Sequence, residues 1–79
     1  MTVTMATRVG LLEIGEEFMI STRKTVYRLL RKQGDWYRAL NTRTKAVIGL
    51  LGDNYPVNLI IKNDNQMMSV FGRAVRGEQ

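Results

Sequence analysis

Residues 25–41 read TVYRLLRKQGDWYRALN, and the structure given to this stretch decides the fold. Leu, Arg and Lys favour a helix over Thr25 to Lys32. The run is only eight residues long, is boxed in by turn formers and opens on Thr-Val-Tyr, so strand is the better reading. Gly34 then sits in a turn, and Trp36 to Asn41 return as a second strand. Two registers fit. With a loop of Gln33, Gly34 and Asp35, Lys32 lies opposite Trp36, Leu30 opposite Arg38 and Arg28 opposite Leu40, while Tyr27 and Leu29 share the other face with Tyr37 and Ala39. With a loop of Gln33 and Gly34 alone, Arg31 takes the place opposite Trp36. Both predict a cation beside the indole. In either one Trp36 and Arg38 point the same way, because side chains two apart on a strand share a face.

The same punctuation continues on both sides of the hairpin. Turn formers cluster at Gly15, Ser21-Thr22-Arg23-Lys24, Asn41-Thr42-Arg43-Thr44, Gly52-Asp53-Asn54 and Lys62-Asn63-Asp64-Asn65, about ten residues apart. Strand-like runs lie between them at Glu17 to Ile20, Lys45 to Leu51 and Val57 to Lys62. Pro56 cannot donate within a ladder and so marks the start of the last run. This pattern predicts a mainly β chain, a small five-stranded barrel in one domain over residues 1–79, with residues 1–8 as a flexible N-terminal arm. After Asn65 the period changes: Met67, Met68, Phe71, Ala74 and Val75 fall at helical spacing behind Asn63, Asp64 or Asn65 as an N-cap. A short C-terminal helix is predicted, with an edge strand through Met68 and Val70 as the alternative. In either form Met67, Met68 and Phe71 close the open end of the barrel.

Charge is distributed very unevenly. Residues 23–45 hold Arg23, Lys24, Arg28, Arg31, Lys32, Arg38, Arg43 and Lys45 against Asp35 alone, so this stretch carries +7 in a chain whose net charge is +5. Tyr27, Trp36 and Tyr37 are interleaved with the cations. A concentrated positive field with flat aromatic faces points to a polyanion, nucleic acid first. Arg28, Arg31, Lys32, Trp36, Arg38, Arg43 and Lys45 are the candidate site: the cations hold phosphates and Trp36 stacks on an unpaired base. The blander reading puts Tyr27 and Tyr37 in the core and leaves the cations to solubilise outer faces.

The chain has neither Cys nor His. That removes a disulfide framework, the ordinary zinc sites and the Ser-His-Asp and Cys-His nucleophilic centres. Glu13, Glu16 and Glu17 cluster beside Gly15 and read as a solvated acidic turn. Asp53 and Asn54 read as turn chemistry, since a calcium loop needs several more oxygen ligands at fixed spacing. No enzyme, metal or cofactor is therefore expected. The longest apolar run, Ala46 to Leu51, is far too short to cross a bilayer, and the N-terminus lacks the pattern of a secretory signal, so a cytoplasmic protein is expected. A domain this small has a thin core, which favours a homodimer sharing the stripe of Met67, Met68 and Phe71.

Four segments in order carry a likeness: Leu11-Leu12-Glu13-Ile14-Gly15-Glu16-Glu17-Phe18, Val26-Tyr27-Arg28-Leu29, Ala39-Leu40-Asn41-Thr42-Arg43-Thr44, and the Gly52-Asp53 turn with Val57. Their order resembles the small SH3-like barrels of bacteriophage proteins. The likeness spans residues 11–60 and departs from the pattern at Lys45, where many such turns carry glycine, and at Met67 to Val75, which has no counterpart. It implies a five-stranded barrel of phage or mobile-element origin and carries no catalytic residue. The expected fold is thus SH3-like or OB-like, and the expected function is non-enzymatic nucleic-acid binding. The alternative is a phage-encoded inhibitor or adaptor that docks on a host protein such as a DNA-transaction enzyme, because Trp and Arg dominate protein interfaces as well.

Overall fold

A computed structural model describes residues 3–20 and 24–75 of the chain, with side chains through Arg73. The strands are β1 (Val3–Arg8), β2 (Glu17–Met19), β3 (Val26–Gln33), β4 (Trp36–Asn41), β5 (Val47–Leu51) and β6 (Pro56–Ile61), followed by helix α1 (Asp64–Val75). A 3-10 turn at Val9–Leu11 leads out of β1. All six strands join one antiparallel sheet in the order β1-β6-β2-β3-β4-β5. The mainly β expectation holds, with six strands in place of five. Residues 3–8 are no arm: Val3 pairs with Ile61 and Arg8 with Pro56, with four matched pairs between them. The sheet is open, with β1 and β5 as its two edges. The expected turn at Ser21-Thr22-Arg23 lies outside the described residues. No helix among the described residues is long and apolar enough to cross a membrane.

Period-two alternation fills one face of this sheet. Phe18, Tyr27, Leu29, Tyr37, Ala39, Leu50, Val57 and Leu59 are all buried, and with Val9, Leu12 and Val70 they make one cluster. The Phe18 and Tyr27 rings, directly opposite each other in β2 and β3, stack with centroids 5.9 Å apart. Tyr27 and Tyr37 are thus core residues, as the blander reading had it.

The β3–β4 hairpin keeps the three-residue-loop register at its far end, with Arg28 opposite Leu40 and Tyr27 and Leu29 on the face of Tyr37 and Ala39, and corrects both registers near the turn. Its loop is Gly34 and Asp35, with Gln33 opposite Trp36, Lys32 opposite Tyr37 and Arg31 opposite Arg38. Gly34 has φ 63°, the left-handed value that a two-residue hairpin turn requires at its first central position and that glycine adopts without a steric cost. A bulge between Leu29 and Arg31 then absorbs Leu30, so that Leu29 faces Ala39 and Arg28 faces Leu40. If Leu30 were instead paired in a regular ladder, strict alternation from Arg31 would turn Tyr27 and Leu29 outward.

Helix α1 packs with a different face from the one its apolar spacing suggests. Val70 and Arg73 are buried, whereas Met68 and Phe71 are 73% and 57% exposed, and Met67 is half-buried. The side chains of Ala74 and Val75 lie outside the described residues. Asn63 is the N-cap, its Oδ1 accepting the Gln66 backbone N–H at 2.8 Å, and Gln66 returns by accepting the Lys62 N–H at 2.8 Å. Arg73 decides which face goes in. Its guanidinium donates to the Leu11 carbonyl and lies 3.4 Å from both Glu16 oxygens, while Gln66 Nε2 reaches Glu16 Oε2 at 3.2 Å. The acidic turn is solvated only at Glu13: the side chain of Glu16 is 12% exposed and anchors the helix to the sheet.

Glu17 is engaged too, through Lys62 at 2.7 Å and Arg28 at 3.0 Å. The Lys62 hydrogen bond, helped by Arg28 and opposed by desolvation, holds its carboxyl below the usual 4.5. A carboxylate depressed on folding stabilises fully above its unfolded pKa and loses that contribution as pH falls through the lowered folded value. Urea unfolding between about pH 5 and about pH 3 is therefore expected to weaken the wild type more than Glu17→Gln. Parallel losses in the two proteins would show that this pair contributes nothing.

Candidate nucleic-acid interface

The face of β3–β4–β5 turned away from the core is a grid of three rows, read from the strand pairing. Gln33, Trp36 and Leu51 form the first row, Arg31, Arg38 and Gly49 the second, Arg28, Leu40 and Val47 the third. Four of the seven candidates, Arg28, Arg31, Trp36 and Arg38, fall on this one surface. Trp36 is 42% exposed and lies outside the core. Arg31 and Arg38 are directly opposed across the ladder, an arrangement of like charges that costs a few tenths of a kcal/mol to about 1 kcal/mol. Among the described residues no carboxylate lies within ion-pair distance of either.

The cation beside the indole comes from its own strand. Arg38 Cζ lies 5.6 Å from the Trp36 ring centroid, within cation–π range, and Arg38 Nε donates to Gln33 Oε1 at 3.2 Å. Gly49 provides the floor for both groups. A Cβ at this position would fall 2.8 Å from Arg38 Nη1 and 2.9 Å from Trp36 Cε3, so any other residue pushes the guanidinium and the indole off the sheet. Gly49 was not among the sequence candidates. A glycine inside an otherwise apolar strand is nevertheless the usual sign of a close approach from outside, and that signal could have found it.

The other candidates stand apart. Lys32 is on the opposite side of the hairpin, 5.4 Å from the Tyr37 ring centroid and 3.7 Å from Asp53 Oδ1. The Tyr37 hydroxyl donates to the same Asp53 oxygen at 2.5 Å. That bond, more than Lys32 or Arg8, lowers the Asp53 carboxyl, while burial and Asp53 raise the Tyr37 phenol. The Tyr37 and Asp53 charges raise Lys32 in turn. Lys32 thus belongs to a lock between the hairpin and the β5–β6 turn. Arg28 is drawn toward Glu17 and offers less free charge than its position suggests. Arg43 and Lys45 are exposed in the β4–β5 turn, past the third row and roughly 10 Å or more along the strand from Arg38. Asn41 Oδ1 shapes that turn by accepting the backbone N–H groups of Arg43 and Thr44 at 3.0 and 3.2 Å. Lys45 itself has φ 67°, a left-handed value that ordinarily favours glycine.

The arrangement offers two chemistries at one place: uncompensated guanidinium groups for anionic oxygens, and an aromatic surface for a flat apolar one. No family model, curated protein or solved structure matches this chain.

Proposed function

We propose that the protein binds nucleic acid through the outer face of β3–β4–β5 and performs no chemistry on it. One observation carries this reading: Arg31 and Arg38 oppose each other with no acidic partner among the described residues, beside the exposed Trp36. A like-charged pair held open in this way is relieved when a phosphate comes between its members, with release of the counterion that the phosphate held. Trp36 adds stacking on an unpaired base, and Arg43 and Lys45 extend the path for the backbone at the far end of β4. This use of an exposed sheet face is shared by the SH3-like and OB-like small barrels, of which the open sheet is read as a relative. Sequence preference is weak, because neither phosphates nor stacking discriminate strongly among bases.

The test is binding of fluorescent oligonucleotides over a salt series. Affinity is expected to fall steeply with salt, and Trp36→Ala is expected to cost about 1–3 kcal/mol on single strands and clearly less on duplex. Equal losses on the two substrates would remove Trp36 from the reading. The rival reading, a phage-encoded adaptor on a host protein, is favoured by one observation, the exposed Val47 and Leu51 flanking the cluster. It takes over if no oligonucleotide binds even at low salt while a host protein is retained on the column after nuclease treatment.

A further inference from the structure

Strand β5 pairs with β4 on one side and, among the described residues, is open on the other. Which of its backbone groups face the open side follows from two bonds at its ends. Asn41 N–H donates to the Ala46 carbonyl and Gly52 N–H to the Asp35 carbonyl, so residues 46, 48, 50 and 52 turn their groups toward β4. The N–H and C=O groups of Val47, Gly49 and Leu51 therefore point outward. Native edges are ordinarily protected by charge, proline or a bulge. β5, Val47-Ile48-Gly49-Leu50-Leu51, has none of the three, and Val47 and Leu51 are 52% and 59% exposed.

We infer that β5 is the pairing edge of a homodimer in which two copies join antiparallel about a two-fold axis at Gly49. This register pairs all five residues: Gly49 meets the partner's Gly49, Val47 meets the partner's Leu51, and Ile48 meets the partner's Leu50. Every outward backbone group finds a partner, since the odd-numbered residues of one copy face those of the other. Charge agrees with the same register. Lys45, just before β5, comes to the end where the partner's Asp53 stands, and Asp53 keeps 37% of its side chain exposed. Val47 and the partner's Leu51 cover each other on the outer face, where both are otherwise left to water. The stripe of Met68 and Phe71 on α1 takes no part. The two sheets become one, with the Arg31, Trp36 and Arg38 groups of both copies on a single surface.

Sedimentation of the nucleic-acid-free protein tests this independently of any ligand. The wild type is expected at twice the chain mass of 9.1 kDa in the micromolar range. Leu51→Pro removes an N–H that faces only the open edge, and Leu51→Lys places a cation opposite the partner's Val47; both are expected to sediment as monomers with an unchanged circular dichroism spectrum. Adding Val47→Glu to Leu51→Lys sets opposite charges across the two-fold register and is expected to restore the dimer. A monomeric wild type at high micromolar concentration overturns the inference. A dimer that survives both Leu51→Lys and Leu51→Pro, or one abolished by Met68→Lys instead, does the same. If Leu51→Pro fails to fold, the Leu51→Lys and Val47→Glu/Leu51→Lys pair decides alone: no recovery of the dimer in the double variant means the register is wrong.

Discussion

Arg73→Ala is expected to lower stability by about 3–5 kcal/mol, the usual cost of removing one partner from a buried ion pair. The effect follows from what is left behind. Arg73 is 8% exposed, and its guanidinium serves the Leu11 carbonyl, Glu16 and the Ser69 carbonyl together. Without it the Glu16 carboxylate stays largely buried, with the Gln66 amide and the Glu13 N–H as its remaining partners. For a chain of this size such a loss lowers Tm by more than about 12 °C. Adding Glu16→Gln to Arg73→Ala should recover part of it, because the stranded charge is gone. A thermal melt within a few degrees of wild type for Arg73→Ala would show that Val70 and Gln66 hold the helix without Arg73. Arg73→Glu, by its place outside the basic segment, looks like a harmless charge control for binding; the structure makes it a folding mutation.

The second large effect is on binding. Reversing Arg31 and Arg38 together to glutamate is expected to cost about 2–4 kcal/mol of nucleic-acid affinity, roughly 30- to 1,000-fold, and to reduce the salt dependence by about two ions. The matched control reverses Lys24, which is exposed and outside the three rows, together with Arg76, and so changes the net charge of +5 by the same amount. Equal losses in the two proteins would assign the binding to overall charge and not to this face. The single change Arg31→Glu separates binding from folding further. It converts an opposed like-charged pair into a cross-strand ion pair with Arg38, so it should stabilise the fold by about 0.2–1 kcal/mol while weakening binding. A loss of both together would mean that Arg31 is structural.

These expectations differ in how far they were legible in the sequence. That Trp36 and Arg38 share a face needed only the two-residue period of a strand, and the strand itself was written in Thr25-Val26-Tyr27 and the following turn. The register was not legible, because Leu29 and Leu30 are both apolar and nothing local says which of them the ladder skips. Lys32 was placed on the wrong side of the hairpin for that reason. The helix face failed for another. By hydrophobicity Met68 and Phe71 outrank Gln66 and Arg73, and the choice is reversed by Glu16, 57 residues before Arg73 in the chain. A buried arginine is specified by its distant partner, and period analysis cannot see partners. Residues 3–8 were misread because a short edge strand of small and polar residues, Val3-Thr4-Met5-Ala6-Thr7-Arg8, has the composition of a tail until β6 returns to pair with it.

The bulge in β3 gives the chain one spare letter. Each residue of the strand from Val26 to Gln33 is tied to one face of the sheet, except at the Leu29-Leu30 pair, where two residues stand against Ala39 alone. Deleting one leucine there straightens the strand and leaves every cross-strand partner in place, so length can change by one residue without moving a side chain through the sheet. In β4 there is no such slack. It is paired without interruption to β5 from Trp36 to Leu40. A single deletion within it carries the residues on one side of the gap to the opposite face, and either the indole enters the core or Tyr37 leaves it. Insertions and deletions, as distinct from substitutions, are therefore tolerated on one strand of the candidate interface and excluded from its neighbour.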